Sequence, residues 1–272
     1  MTLSNFRLKT LNLNLGLMLG LTLAAPAAFA QAFDVVRLYG AAPGNDGGTT
    51  GAVLISGTQY AGSDERRTLV RPVLDYQWAN GWFAGVSNGV GLNFSSSPQT
   101  DYGLRVTADF GRKASRSNAL RGMGDIDAQA EVGGFFNHAL ASGVFFTSSL
   151  RYGSGQDGKG LLLDLGTGYG TMLAPQWRLG VGAALTVANA EYLQSYFGVT
   201  AAQSAASGYR VFTPGAGLRD VRANVAVTHF FDKRLSATLA LSVSSLQGDA
   251  NSSPLTRQSS TASGVLALSY AF

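Results

Sequence analysis

The chain of 272 residues has no cysteine, seven prolines and only 13% charged residues. Without cysteine there is no disulfide framework, no thiolate metal site, no cysteine nucleophile and no acyl-cysteine anchor. The charged share is about half of the ~25% usual in soluble domains, so much of the surface lacks groups that water solvates. Long apolar runs are missing too. Beyond residue 30 no stretch approaches the ~18 residues of a membrane-spanning helix. Disorder is excluded from the other side, because 46% hydrophobic residues can bury a large surface. What is plentiful is glycine, 35 residues, nearly twice the usual ~7%. Low charge without spanning helices indicates a protein that meets lipid by other means.

Residues 1–30 have the three parts of a secretory signal. Arg7 and Lys9 form a positive start, Leu11 to Leu23 an apolar centre, and Ala28-Phe29-Ala30 a small-residue cleavage motif. Asn12, Asn14 and Pro26 disfavour a permanent spanning helix, and cleavage is expected between Ala30 and Gln31. Removal takes away two bases and no acid, leaving 18 basic against 16 acidic residues, net +2 in place of +4. A balance that small implies no nucleic-acid partner. The remainder, 31–272, reads as a single domain.

That domain alternates with period two, the signature of strands with one apolar face. Leu235, Ala237, Leu239, Leu241 and Val243 alternate with Ser236, Thr238, Ala240, Ser242 and Ser244. Trp177 to Val187 and Tyr102 to Phe110 behave in the same way, as does Ile126 to Phe136. In a soluble sandwich the apolar face would meet a second sheet; in an outer-membrane barrel it meets lipid. Charges of both signs at mid-strand favour the barrel, as a luminal network of Arg71, Asp75, Arg105, Asp109, Asp127, Glu131, Arg151, Asp164, Arg178 and Arg222. Aromatics near strand ends, among them Trp78, Trp82, Phe94, Trp177 and Phe231, supply an interfacial girdle.

The fold expected is an all-β, antiparallel transmembrane barrel with twelve strands. They fall near 33–40, 51–60, 67–79, 81–94, 100–111, 125–138, 143–153, 159–171, 176–189, 218–231, 234–246 and 261–272. Short connections at 61–66, 95–99, 139–142, 172–175 and 232–233 are expected in the periplasm. The connections at 41–50, 112–124, 190–217 and 247–260, with the short Ala79-Asn80 turn, are expected outside. Leu266, Leu268, Tyr270 and the terminal Phe272 share one face, a pattern similar to the signal read by the barrel-assembly machinery.

Segments such as YAGSDERR (60–67), LRGMGDIDAQAEVGGFF (120–136), YFGVTAAQSAASGY (196–209) and FTPGAGLRDVRANVAVTHFFD (212–232) resemble the MipA/OmpV family of Gram-negative outer-membrane proteins. The resemblance covers nearly all of the chain from about Ala52. It implies a non-enzymatic envelope scaffold that links a murein lytic transglycosylase to a murein synthase. A narrow channel, or an adhesin acting through the outer loops, is the alternative.

Candidate chemistry is sparse. His138 and His229 are the only histidines, and both fall near periplasmic strand ends, where an interfacial role outweighs a serine–histidine hydrolase. The luminal carboxylates are matched by arginines, which favours charge pairing over paired-carboxylate catalysis. No cofactor is expected. Arg112, Lys113, Arg116 and Arg121 form an outer basic cluster that can contact lipopolysaccharide phosphates. In the long connection 190–217, Thr200 can cap a short helix over Ala201 to Ala206 that Gly208 ends. Its apolar Tyr192, Tyr196, Phe197 and Val199 favour a segment turned inward or capping the mouth. Among the periplasmic turns, Asp64, Glu65, Arg66, Arg67, Asp232, Lys233 and Arg234 are the charged docking candidates.

Overall fold

The computed structural model describes residues 44–272. The expected leader, its Ala30–Gln31 junction and the expected strand at 33–40 lie outside the described residues. Twelve antiparallel strands close into a barrel in which each pairs with its sequence neighbours and β1 pairs with β12. They are β1 (Gly47–Thr58), β2 (Arg66–Gln77), β3 (Trp82–Gly85), β4 (Gly89–Asn93), β5 (Thr100–Asp109) and β6 (Gln129–Ala139). The circuit continues with β7 (Val144–Ser154), β8 (Gly160–Ala174), β9 (Trp177–Ala188), β10 (Gly217–Phe230), β11 (Leu235–Leu246) and β12 (Ser260–Ala271). Closure removes the exposed strand edges that lipid cannot solvate. None of the described helices is long and apolar enough to cross a membrane.

The alternation sorts inside from outside as expected. Leu239, Leu241, Val243, Leu266, Leu268 and Tyr270 stand exposed on the outer face, while Ala240, Val265 and Ala267 are buried within. Trp78, Trp82, Phe94, Trp177, Phe231 and Phe272 are exposed at the short-turn end. There Tyr76 stacks on Phe272 at 6.1 Å and meets Trp78 edge-on at 4.9 Å. Phe272, whose backbone exchanges hydrogen bonds with Gly48, brings both barrel termini to this end. His229 lies within the same girdle, 4.4 Å from the Trp177 ring and 4.7 Å from Phe231. His138 shares a hydrogen bond of 2.9 Å with Thr100.

The count of twelve agrees with expectation, but its first third is arranged differently. The segment 81–94 is two strands rather than one, joined by a turn at Val86–Asn88 and closed by Gly89 at φ +74°. A side chain at Gly89 would strike the Val106 carbonyl, so glycine is required by space as well as by backbone angle. The twelve described strands close the wall without 33–40. As a result the directions of the first strands are reversed relative to expectation. The connection 59–65 stands with the long loops, where Tyr60 donates to the Leu255 carbonyl and Ser117 to Glu65. The Ala79-Asn80 turn stands at the opposite end, where the Ala79 amide donates to Asp46. Asp64, Glu65, Arg66 and Arg67 are therefore not periplasmic turn residues; the turn of Asp232, Lys233 and Arg234 is, by the rule that short turns face the periplasm.

Candidate functional site: a capped lumen

The long connections do not project into solvent. They fold over the mouth and into the barrel. Residues Ala190–Phe197 form helix α1, Ala201–Ser207 form α2, and Gly248–Ser252 form α3. Asn189 caps α1 by accepting from the Tyr192 amide, which satisfies one of the free donors of its first turn. Thr200 and Gln203 form a reciprocal capping box on α2, and Gly208 ends it in the left-handed region at φ +79°. That helix is where the sequence places it; α1 is the element it does not announce.

Two apolar layers seal the mouth. One joins Tyr192, Leu193, Tyr196, Phe197 and Ala250 to Ile126, Leu162, Ala188 and Leu246 of the wall and rim. The other joins Tyr60, Leu120, Met123, Val199 and Leu255 from four different connections. Burial pushes the Tyr60 phenol up to about 12, so it stays a neutral donor to Leu255. The Tyr196 phenol is also raised, first by burial and then by the Asp109 carboxylate beside it.

Beneath the cap runs a chain of alternating charges. Arg151 donates to Glu131 at 3.1 Å and to Asp164 at 2.8 Å. Asp164 also receives Thr186 at 2.6 Å and Arg222 at 3.4 Å. Arg222 and Arg219 both donate to Asp220, each at 2.5 Å. Glu131 is completed by Thr107 at 3.0 Å and by a short contact from Ser154. Buried charges persist in a low-dielectric setting only when paired and hydrogen-bonded in this manner. The helix α1 is tied to one end of the chain and, separately, to Asp109 and Arg112. Arg219 donates to the Tyr192 hydroxyl at 2.9 Å. The Tyr196 hydroxyl donates to Asp109 at 2.6 Å, and the Tyr196 carbonyl accepts from Arg112 at 2.7 Å.

Of the expected luminal residues, the structure joins Glu131, Arg151, Asp164 and Arg222 in one network and gives Asp109 to the cap. Arg71 and Arg178 occupy inward-facing register positions on β2 and β9. Asp75 accepts from the Ser87 amide, and Arg105 donates to Ser149 at 2.9 Å and lies over the Phe135 ring. Asp127 departs from expectation: β6 begins only at Gln129, so Asp127 stands on the rim with 79% of its side chain exposed, paired to Lys113 at 2.8 Å. Arg112 departs as well. It is buried under the cap, where burial lowers its pKa, and it cannot meet lipopolysaccharide. Lys113 is exposed but engaged by Asp125 and Asp127, whose hydrogen bonds raise its pKa. Arg121 is exposed and Arg116 half-buried. Arg219, Asp220 and Thr186 are members that the sequence did not single out, whereas Tyr192, expected in an inward or capping segment, stands in the cap. Adjacent Arg219 and Asp220 break the alternation, and a register shift between Leu218 and Asp220 turns both inward. The doubled charge at a strand start was the available signal.

Among the described residues no group of His, Cys, Asp or Glu is arranged to hold a metal. The histidines, on the outer face at the short-turn end, are remote from the buried carboxylates and from the cap.

Fold and site together define an outer-membrane β-barrel with a mouth closed by its own loops. Residues 50–272 match the family described as MltA-interacting protein MipA, and the chain belongs to that family. Curated protein sequences gave no match. Among solved structures, an outer-membrane channel from Pseudomonas putida F1 is similar at TM-score 0.46 and 10% identity, over 87% of this chain and 98% of that one. The NanC porin is similar at TM-score 0.43 and 9% identity, over 82% and 98%. The translocator domain of the autotransporter NalP from Neisseria meningitidis is similar at TM-score 0.42 and 12% identity, over 84% and 88%.

Proposed function

We propose that the protein is a narrow, non-enzymatic outer-membrane channel held shut by α1. One observation carries this reading: the two tyrosines of α1 end on the luminal charges, Tyr192 on Arg219 and Tyr196 on Asp109. Withdrawal of α1 would expose the charged path of Glu131, Arg151, Asp164, Arg222 and Asp220 to water. A lumen with near balance of the two signs passes small polar solutes and holds back apolar ones, because apolar molecules leave the fixed charges unsolvated. Planar-bilayer recording tests it. Rare, brief openings are expected from the natural protein and long ones from the doubly substituted Tyr192→Phe, Tyr196→Phe. Silent membranes from both would overturn the reading.

Family membership favours a second role, as a scaffold between a murein lytic transglycosylase and a murein synthase. The periplasmic turn of Asp232, Lys233 and Arg234 is its docking candidate, with the Asp232 carboxylate held low by the amides of Leu235 and Arg234. Photo-crosslinking from Lys233 in cells should capture a murein enzyme; recovery of none would remove this role and leave the channel intact. Arg116 and Arg121 stay with the reading as lipopolysaccharide contacts, and residues 1–30 as the cleaved export signal.

A further inference from the structure

Helix α1 joins two wall charges of opposite sign. Asp109, at the end of β5, is only 3% exposed. The donors on its carboxylate are all uncharged: the Tyr196 hydroxyl at 2.6 and 2.7 Å, the Gly155 amide at 2.9 Å and the Gly111 amide at 3.1 Å. Arg219, near the start of β10, is the cationic terminus of the buried chain. It pairs with Asp220, which it shares with Arg222, and donates to the Tyr192 hydroxyl at 2.9 Å. The strands β5 and β10 stand apart around the circuit, and the stacked rings of Tyr192 and Tyr196, 4.7 Å between centroids, link them.

The two phenols do opposite work. Tyr196 donates to an anion, and Tyr192 accepts from a cation. A neutral phenol supplies each buried charge with a hydrogen bond but with no opposite charge, whereas an ion supplies both. An ammonium group on Asp109 and a carboxylate on Arg219 would therefore be the stronger partners. Tyr192 and Tyr196 are four residues apart on one helix face, so they leave their partners together. A solute of one charge would satisfy one wall and leave the other stripped of its hydrogen bond, at a cost that offsets the gain.

We infer that Asp109 and Arg219 form a recognition site for a small zwitterionic solute, with an ammonium group at one end and a carboxylate at the other, that releases α1 by taking the places of its two phenols. The inference rests on the reading of α1 as the closure and adds what loosens it. Such a solute binds only where the phenols have left, so it draws the population toward the released form. Both charges must be on one molecule, because the second group then arrives at high effective concentration. The stacking of the rings sets the two places close together, within the span of a short amino acid. Meanwhile Leu193 and Phe197 keep their apolar layer and the Tyr196 carbonyl its bond to Arg112, contacts that return the helix when the solute leaves.

Hydrogen exchange of the whole protein in detergent micelles, read by mass spectrometry, tests this. The additions are glycine, β-alanine or γ-aminobutyrate, then acetate, methylammonium, and those two mixed, all at one ionic strength. At least one of the zwitterions should raise exchange over α1 about tenfold, a usual size for a ligand that shifts a two-state equilibrium. The single ions and their mixture should leave it unchanged, and β11 should respond to none. Asp109→Asn keeps an oxygen for Tyr196 but removes the charge, and should abolish the response. Tyr192→Phe, a second variant, weakens the closure and keeps both charged addresses, so the response should appear at lower concentration. No rise with any zwitterion, an equal rise with acetate or methylammonium, an undiminished response in folded Asp109→Asn, or an unshifted one in Tyr192→Phe would each overturn the site. No current is measured here. A silent bilayer with a responding helix would remove conduction and keep the site, whereas a conducting protein whose helix ignores zwitterions would remove the site and keep the channel.

Discussion

The two sides of the lumen are built on opposite chemistry. From β5 to β10 the inner wall holds a buried chain of carboxylates and guanidinium groups. From β10 through β12 to β2 it holds Val53, Ile55, Ala226, Ala240, Val265 and Ala267. The apolar cluster on that side is held by contact and tolerates substitution in proportion to volume. The charged side is held by mutual satisfaction, so each member depends on its neighbours. It is also the side that offers α1 fixed hydrogen-bonding addresses, and the cap is moored there.

The contrast is broken most severely at Arg151. Its replacement by alanine leaves Glu131 and Asp164 buried without their shared partner and should cost about 3–5 kcal/mol in urea unfolding from detergent micelles. An equal truncation on the other side, Ile55→Ala, should cost about 2–3 kcal/mol through lost burial and a cavity. Should Ile55→Ala prove the costlier of the two, the charged chain would be less interdependent than its geometry indicates. Tyr196→Phe removes the donor on Asp109 while keeping the ring, with an expected loss of about 1–2 kcal/mol. Hydrogen exchange of α1 should rise while that of β11 stays unchanged.

The smallest expected effects are titrations of the loops. The free phenol of tyrosine titrates at 10.0, and that of Tyr60 in the fold at about 12, because it is buried. The folded state thus retains the proton more strongly. Its contribution is whole below pH 10.0, declines above it, and is gone once pH passes about 12. Limited proteolysis of the outer loops should increase over that interval, and Tyr60→Phe should flatten the pH dependence. In acid the sign reverses for Asp125, whose pKa is lowered from 3.8 by the Ala114 amide and by Lys113. Its contribution is present above pH 3.8 and lost as pH falls through its lower folded value, loosening the rim at 112–127. Asp125→Asn should remove that step from the proteolysis profile.

The outward face was legible residue by residue, because lipid demands apolar side chains at every second position and the strands from β5 to β12 oblige. The α2 cap at Thr200 and Gly208 was legible because its signals are local. The β3–β4 hairpin was less so. Trp82 to Asn93 has the apolar content of one long strand, but Ser87-Asn88-Gly89 carries the Asn-Gly hairpin signal that marks the reversal. Reading it as one strand put the connection 59–65 at the wrong end. Arg112 was misread for a similar reason: a basic residue in a loop resembles any other until a helix carbonyl from a distant loop is placed above it.

By itself the sequence determined the environment and the wall. Low charge, period-two alternation and the absence of spanning helices leave a lipid-facing barrel as the structure that satisfies the backbone. Tertiary structure alone decided what the barrel contains: which loops turn inward, and which charges meet across β6, β7, β8 and β10. Those outcomes depend on residues far apart in the chain arriving at one place. Alternation states only which way a side chain faces, and it carries no record of what it will meet there.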